Sequence, residues 1–133
     1  LVTPNLPEAA ALLEEQIARD ETEMRHQGER ILALGARAVL VKGGHADGAE
    51  SVDILVSASG VQRFPAPRID TRNTHGTGCT LSSAIAAGLA KGMDLSDAVA
   101  AAKAYISEAI RASHSLDIGQ GHGPVHHFHA WWS

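Results

Sequence analysis

The sequence predicts an α/β fold, and three observations support this prediction. Helix-length segments with helically spaced apolar residues lie on both sides of a short apolar run, residues 38–41, which ends at Lys42-Gly43-Gly44. A continuous apolar run of this kind is typical of a strand buried on both faces of a parallel sheet. The third observation is the pair Gly76 and Gly78, directly before an Ala-rich and Leu-rich stretch. Helices that alternate with a buried strand indicate layered α/β architecture.

The first part of the chain contains two predicted helices. The first spans residues 7–13, and its opening proline is favourable because that position needs no N–H donor. The second spans residues 20–34, with Asp20 or Thr22 as its cap, and ends before Gly35. Its predicted buried face consists of Met24, Ile31 and Leu34.

Extended segments are predicted around these helices. Residues 51–57 and 61–64 flank Ala58-Ser59-Gly60, which predicts a hairpin. Residues 65–74 are a predicted polar loop. Residues 1–3 are typical of a strand that has already begun, so we expect the chain to start within a longer domain.

Two helices are predicted in the second part of the chain. The first spans residues 76–90, directly at the glycine pair, and the second spans residues 95–112. Asp94 and Asp97 have the spacing of a capping box for the second helix, although Glu or Gln is usual at the later position. The predicted buried face of this helix consists of Leu95, Ala98, Val99, Ala102, Ile106, Ala109 and Ile110.

Composition restricts the class of protein. A chain of 133 residues with 44% hydrophobic residues is long enough for one domain with a real core. Its formal net charge of -4 argues against a nucleic-acid partner or an anionic membrane surface, and no apolar run is long enough to span a bilayer. Cys79 is the single cysteine, so no internal disulfide forms, and we expect a cytoplasmic protein.

The segment His75-Gly76-Thr77-Gly78-Cys79-Thr80 carries the predicted chemistry. Helix N-termini present unpaired N–H groups and partial positive charge, so they suit an anion. The amides of Gly76, Thr77, Gly78 and Cys79 would form an anion hole, with a transferring phosphoryl group as the expected ligand. Two alternatives stay open at this point: a glycine-rich helix start with no ligand, and a buried structural cysteine.

The motif at residues 73–79 resembles that of bacterial hydroxymethylpyrimidine/phosphomethylpyrimidine kinases of thiamine biosynthesis, members of the ribokinase-like superfamily. Residues 3–9, 41–45 and 123–132 are similar to three further segments of this family, in the same order. The resemblance implies a ribokinase-like three-layer α/β/α fold, of which residues 1–133 are the C-terminal portion of a single domain. It also implies that most of the pyrimidine pocket lies outside this chain, so we expect the isolated chain to be weak or inactive as a kinase.

The resemblance implies roles for individual residues. Cys79 corresponds to the catalytic base that removes the proton from the substrate hydroxyl, and residues 76–79 to the anion hole. A thiol with an ordinary pKa of about 8.5 is a poor base at neutral pH, but a helix N-terminus can lower that value. Lys42 would reach the ATP phosphates as a point charge. Thr71 and Asn73 lie in the loop that the family places beside the nucleotide.

Asn5 and Glu8 are three residues apart at a predicted helix start. From the residues alone, they form an ordinary capping box in which each side chain accepts the other's backbone N–H. The resemblance implies a further role for the same pair, because the family's Asn-x-x-Glu segment shapes the Mg²⁺ and phosphate site. The ion would be held directly or through water.

The activity implied by the resemblance is ATP-dependent and Mg²⁺-dependent phosphorylation. The substrates would be 4-amino-5-hydroxymethyl-2-methylpyrimidine and then its monophosphate, and the full-length family member is expected to be a homodimer. Two alternatives remain: a pyridoxal kinase-like activity, and a non-catalytic nucleotide-binding or assembly fragment.

The end of the chain is rich in histidine, which raises the hypothesis of a metal site. No cysteine accompanies these residues and their spacing matches no established zinc pattern, so we do not predict a metal here. Trp131 and Trp132 are expected to pack against the body of the domain or against a subunit partner. The histidines are His122, His126, His127 and His129.

Overall fold

A computed structural model of the chain describes residues 1–44, 49–69 and 76–131. The chain divides into two compact units, Leu1–Arg68 and Ile69–Ser133, and each is described by itself. Thr71, Asn73 and Trp132, for which the sequence analysis makes predictions, lie outside the described residues.

The first helix of the first unit, α1, spans Leu6–Leu13 and begins at the predicted capping box. The Oδ1 atom of Asn5 accepts the N–H of Glu8 at 2.8 Å, and Glu8 Oε2 accepts the N–H of Asn5 at 2.8 Å. Pro7 lies in the first turn, where the ring fits because the N–H is not needed. The capping interpretation of this pair is therefore confirmed.

The second helix, α2, spans Glu21–Ala33 and starts at Asp20, whose carboxylate accepts a backbone N–H of the first turn at 2.8 Å. Met24 and Ile31 are buried as predicted. Leu34 is 70% exposed, so its placement on the buried face was wrong. The cause is that the regular helix ends at Ala33, and Leu34 is the C-terminal cap rather than part of the apolar face.

The first unit contains a three-stranded sheet in the order β1-β2-β3, with β1 at Ala38–Lys42, β2 at Glu50–Ser57 and β3 at Gly60–Pro67. Both pairings are antiparallel, and β2 and β3 form the predicted hairpin. The expectation that β1 belongs to a parallel sheet is wrong for its pairing with β2. Residues 43–49 are too few for a crossover, which takes a dozen or more residues, so the chain can only turn back.

On its other edge, β1 does have parallel neighbours. Val2 pairs with Val39 and Asn5 pairs with Lys42 in isolated parallel bridges. The N–H of Lys42 donates to the carbonyl of Pro4 at 2.9 Å. The opening residues therefore lie along β1 in extended form, as expected for a strand, and lead directly into the cap of α1.

The strand β3 is longer than predicted, because it continues through Pro65 and Pro67 instead of ending at residue 64. The N–H of Arg68 donates to the carbonyl of Ala49 at 3.0 Å, and hydrogen-bonded positions alternate along an antiparallel pair. Both prolines thus occupy positions whose nitrogen points away from β2. A proline costs no ladder hydrogen bond there, so the predicted loop begins later than expected.

The core of the first unit lies between the sheet and its two helices. Val39 and Val41 are fully buried on the face that packs against α1 and α2, and Leu40, on the opposite face, is also fully buried. The prediction that this strand is buried on both faces is confirmed. The cluster on the helix side consists of Leu6, Ala9, Ala18, Met24, Ile31, Val39, Val41, Val52, Ile54 and Val56.

The second unit is built on a pair of packed helices, α3 at Thr77–Ala90 and α4 at Leu95–Ala112. The helices approach closely at Gly88, where an added Cβ would lie 3.1 Å from the Cβ of Ala98. Asp94 occupies the cap position of α4, but its side chain makes no capping hydrogen bond, so the predicted capping box is wrong. The expected partner is an aspartate, whose side chain is one methylene shorter than the usual glutamate.

The buried face of α4 largely follows the predicted spacing. Leu95 and Ile110 are only half-buried, and Lys103 is buried although the pattern does not include it. None of the described helices combines the length and the apolar composition that a bilayer-spanning segment needs. The predicted residues that are buried are Ala98, Val99, Ala102, Ile106 and Ala109.

Candidate functional site

The glycine motif forms the start of α3. Gly76 is the capping residue, with φ 81° and ψ 5°, a left-handed conformation that favours glycine. The first bond of the helix runs from the N–H of Thr80 to the carbonyl of Gly76, at 2.9 Å. The N–H groups of the cap and of the first three helical residues lie at the start of the helix, where no carbonyl of the same helix precedes them. These residues are those predicted for the anion hole, Gly76, Thr77, Gly78 and Cys79.

Cys79 lies in the first turn of α3 and is exposed. Its side chain lines an open groove between α3 and α4, together with Thr80, Lys91, Tyr105 and His127. The alternative that Cys79 is a buried structural cysteine is therefore wrong. The sulfur is accessible from the groove at the first turn of α3.

Sequence reasoning missed two residues of this groove. His127 Nε2 lies 2.9 Å from Thr80 Oγ1, and the hydroxyl of Tyr105 donates to the carbonyl of His127 at 2.6 Å. The sequence offered only the density of histidines as a signal, and that density suggested a metal instead. Among the described residues, no group of three or more His, Cys, Asp or Glu side chains is placed to hold a metal ion.

In the first unit, the structure brings Asn5, Glu8 and Lys42 together. Lys42 is the last residue of β1 and is half-buried, and the backbone of Asn5 pairs with it. Glu8, bonded to Asn5 in the capping box, is exposed. The predicted roles of these residues toward Mg²⁺ and phosphate remain predictions, but the three candidate residues share one end of β1.

The end of β1 is fixed by a carboxylate that the sequence analysis did not select. Asp53 is 5% exposed, lies opposite Lys42 in the β1-β2 pairing, and accepts the N–H of Gly43 at 3.0 Å. A Cβ at Gly43 would lie 2.0 Å from the carbonyl oxygen of Val52, so only glycine fits. The sequence did contain a signal for this residue, because Asp53 interrupts the apolar run of β2, and a carboxylate at a buried strand position needs a hydrogen-bond donor.

Resolved pKa shifts occur at surface ion pairs, away from the predicted site residues. The guanidinium of Arg63 lowers the pKa of Glu21, chiefly through hydrogen bonds, and that of Arg19 lowers the pKa of Glu23 in the same way. In both pairs the glutamate lies in the first turn of α2, so the arginine is bound to the start of that helix. They therefore bear on stability rather than on the candidate site.

Three comparisons with known proteins bear on the site. The family model described as phosphomethylpyrimidine kinase matches residues 1–126. A hydroxymethylpyrimidine/phosphomethylpyrimidine kinase of Rhizobium meliloti is 61% identical over 99% of this chain. The thiamine biosynthesis bifunctional protein ThiED of Geobacter sulfurreducens is 54% identical over 96% of the chain and 25% of its own length.

Among solved structures, an ADP complex of Bacillus subtilis pyridoxal kinase superposes with a TM-score of 0.89 at 37% identity. The match covers 97% of this chain and 50% of that one, and it places the chain in the ribokinase-like α/β fold class. The chain likewise spans 50% of the Rhizobium meliloti kinase. These relatives are therefore about twice as long as the sequence described here.

Proposed function

This chain belongs to the phosphomethylpyrimidine kinase family, and on that premise we propose that the intact protein is an ATP-dependent kinase of thiamine biosynthesis. The proposed reaction moves the γ-phosphoryl group of ATP to the hydroxymethyl group of 4-amino-5-hydroxymethyl-2-methylpyrimidine, and then phosphorylates the monophosphate. The observation that carries the proposal is the exposed Cys79 in the first turn of α3, beside the outward-directed amides.

The proposed work of the α3 N-terminus is electrostatic. Phosphoryl transfer needs positioned reactants and stabilisation of the charge that spreads over the equatorial oxygens in the transition state. In this proposal the amides of residues 76–79 bind the transferring phosphoryl group at the helix start, where the helix dipole adds partial positive charge. Amides that the fold holds in this direction would need little reorganisation during the reaction.

The proposed role of Cys79 is that of a general base. As the substrate hydroxyl oxygen forms its bond to the γ-phosphorus, the bond from that phosphorus to the bridging oxygen of ADP breaks. The hydroxyl proton passes to the Cys79 sulfur, and ADP leaves with the electron pair of the broken bond. The exposure of the side chain to the groove supports this role, because a general base must reach a substrate proton.

The proposed Mg²⁺ and phosphate contacts lie at the end of β1. The exposed carboxylate of Glu8 and the side-chain oxygen of Asn5 are the hard oxygen donors that Mg²⁺ prefers, and Mg²⁺ commonly keeps several waters. Because both side chains also serve the capping box, contact through water fits them best. When bound, Mg²⁺ neutralises phosphate charge, and we assign to Lys42 a further positive charge for the ATP phosphates. Thr71 and Asn73 stay candidates for nucleotide contact.

The test of the proposal is Cys79→Ala in the intact protein. We expect kcat to fall by roughly 10²–10⁴-fold, the usual contribution of a general base, with little change in KM for ATP. Ser83→Ala is the matched control, since Ser83 lines the same groove one turn further along α3. A Cys79→Ala enzyme with wild-type turnover would exclude this residue from the mechanism.

A second candidate function is a pyridoxal kinase-like activity. The similarity to Bacillus subtilis pyridoxal kinase over nearly the whole chain favours it. The discriminating experiment compares kcat/KM of the intact protein for hydroxymethylpyrimidine, its monophosphate and pyridoxal, each with ATP and Mg²⁺. We expect the pyrimidines to be preferred, and a preference for pyridoxal would reverse the assignment.

A third candidate is a non-catalytic nucleotide-binding or assembly fragment, and it applies to the 133 residues on their own. The chain spans half of its relatives, so we propose that by itself it has weak or no kinase activity. Robust ATP turnover by the purified chain would contradict this expectation.

We also propose that the intact protein acts in the cytoplasm as a homodimer. The dimer is an expectation from the family resemblance, and Trp131, which is 77% exposed, is a candidate for its partner surface. Light scattering of the intact protein tests the dimer directly, and a mass of one subunit at micromolar concentration would contradict it.

A further inference from the structure

Two hydrogen bonds hold the last described segment of the chain against α4, one on each side of the peptide bond between His126 and His127. The N–H of His126 donates to the carbonyl of Ala109 at 2.9 Å, and the Tyr105 hydroxyl donates to the carbonyl of His127 at 2.6 Å. Ala109 and Tyr105 are one turn apart on α4. The backbone on both sides of the link between His126 and His127 is therefore fixed by the same helix.

A second layer of contacts braces this segment. The His129 ring lies 5.2 Å from the Tyr105 ring, between centroids, at an interplanar angle of 44°. His129 Nδ1 also lies 3.0 Å from the carbonyl oxygen of His126. Tyr105 thus contacts the segment through both its hydroxyl and its ring, so the place from which the His127 side chain extends is well defined.

From this position, the His127 side chain reaches the start of α3. Its Nε2 atom lies 2.9 Å from Thr80 Oγ1, where either group can donate according to the imidazole tautomer. The backbone N–H of Thr80 donates to the Gly76 carbonyl at 2.9 Å, which closes the first turn of the helix. Thr80 therefore joins the turn that carries Cys79 to the segment anchored on α4.

This turn needs an external support because its own sequence provides little. Gly76 has no side chain, so the cap residue itself makes no side-chain capping bond. Gly78 adds a second residue with unusual backbone freedom. The four residues whose amides would hold the anion therefore lie at the end of a helix. Helix ends open more easily than helix centres.

We propose that His127 is a positioning residue for the anion hole. Through Thr80 it holds the first turn of α3, and so fixes the direction of the amides of residues 76–79 and of the Cys79 side chain. The expected effect of His127 on catalysis rests on the proposed kinase function. The expected effect of His127 on the first turn of α3 does not depend on that function. His127 acts through Thr80 rather than on the reacting atoms.

The test uses His127→Ala in the intact protein, including any chain beyond these 133 residues. Loss of one hydrogen bond should raise the exchange rate of the Thr80 amide by about three- to tenfold. The Lys91 amide, which donates to Ala87 at 3.1 Å at the other end of α3, should be unaffected. In kinetics, we expect kcat to fall by about ten- to a hundredfold with KM for ATP changed less than about twofold.

Two further variants separate positioning from general stability. His127→Gln places a side-chain amide at about the reach of Nε2, and we expect it to restore most of kcat and of the Thr80 protection. In a Thr80→Val background, His127→Ala should cause no additional loss, since the bond is already absent. His122→Ala is the matched control, because His122 is an exposed histidine of the same tail and is not placed on this groove.

The inference is overturned if His127→Ala leaves Thr80 exchange as in the His122→Ala control. It is equally overturned if exchange rises alike at Thr80 and Lys91, because that pattern reports general destabilisation. Exchange is measured without substrate, so the two proposals can fail separately. The intact protein could lack kinase activity while its Thr80 amide still exchanges faster in His127→Ala. That result supports the positioning role and contradicts the kinase function.

Discussion

Asn5 and Lys42 are paired as parallel backbone neighbours at the end of β1. The N–H of Lys42 donates to the carbonyl of Pro4 at 2.9 Å, and one residue later the chain turns into the capping box of α1. The last residue of a buried strand and the first turn of a helix are thus fixed side by side. A substitution at the cap is therefore expected to shift the backbone of Lys42 as well. Variants must be chosen so that a change in the free energy of unfolding can be told apart from a change in catalysis.

Glu8→Gln separates the metal role of Glu8 from its capping role. Gln suits the capping box as well as Glu does, so we expect the free energy of unfolding to change by less than about 0.5 kcal/mol. The negative charge is lost, however, and the Mg²⁺ concentration for half-maximal kinase activity should rise by about tenfold. The measurements are urea unfolding and a Mg²⁺ titration of activity in the intact protein.

The control for this experiment is Asp20→Ala, which removes the cap of the neighbouring helix. Asp20 accepts the N–H of Glu23 at 2.8 Å, so its loss should cost about 1 kcal/mol of stability. We expect its Mg²⁺ dependence to match the wild type. If Glu8→Gln also leaves the Mg²⁺ dependence unchanged, Glu8 is only a capping residue.

Gly76→Ala tests the start of α3 by backbone strain alone. The φ of Gly76 is +81°, and an added Cβ would meet no atom of the described residues within 4 Å, so the expected cost is backbone strain. We expect a loss of about 1–2 kcal/mol in the free energy of unfolding. Because the capping residue sets the direction of the first amides, kcat should also fall, by about tenfold or more.

Gly92→Ala is the matched control at the other end of the same helix. Its φ is +86°, and an added Cβ there also meets no atom within 4 Å in the part of the chain that the structure describes. The two variants should lose similar stability in urea unfolding, while Gly92→Ala keeps wild-type kcat. Equal losses of kcat would mean that the α3 N-terminus has no special role in turnover.

The sequence was sufficient for features that depend on neighbouring residues. The caps Asn5 and Asp20, the hairpin around residues 58–60 and the start of α3 after Gly76 are each determined within a few residues, by local backbone and side-chain chemistry. The pairing direction of β1 was not predictable in this way. An apolar run shows that a strand is buried but does not show which segments lie beside it, and here one edge is parallel and the other antiparallel.

The same division applies to the candidate site. The residues proposed for the anion hole are consecutive, so the sequence alone was enough to select them as candidates. The resemblance to a known family assigned proposed roles to Asn5 and Lys42. Their pairing across β1 depends on a contact between residues far apart in the chain. The contact of His127 with Thr80 spans 47 positions, and nothing in the tail sequence distinguishes His127 from the histidines around it.

Gly43→Ala tests how the fold holds the Lys42 end of β1. A Cβ at Gly43 would lie 2.0 Å from the Val52 carbonyl oxygen, a backbone atom that cannot rotate away. The substitution should also weaken the bond from its N–H to Asp53, so we expect a loss of about 3 kcal/mol or more, or failure to fold. Gly44→Ala is the control, because among the described residues an added Cβ there would meet only Ser51 Oγ, at 3.8 Å, which is an ordinary contact distance. Similar unfolding midpoints in urea for the two variants would contradict this account of the strand end.

Arg63→Ala gives a pH-dependent prediction. Arg63, on β3, donates to both carboxylate oxygens of Glu21 at 2.8 and 2.9 Å, and to Glu50 at 3.2 Å. These hydrogen bonds, more than the charge alone, lower the pKa of Glu21 from its ordinary value of 4.5. Because the folded-state pKa is depressed, the pair stabilises the fold above that ordinary value, and the contribution is lost as the pH falls through the lowered one.

We therefore expect Arg63→Ala to lower the urea midpoint at pH 7 and to lose this effect progressively below about pH 4.5. Both side chains are nearly half exposed, so added salt should also reduce the difference. Arg25→Ala is the control, since Arg25 pairs with Glu29 within α2 and ties no strand to the helix. A destabilisation by Arg63→Ala that persists unchanged at pH 3 and in high salt would show that the aliphatic part of the side chain stabilises the unit, because packing does not depend on the charge of Glu21.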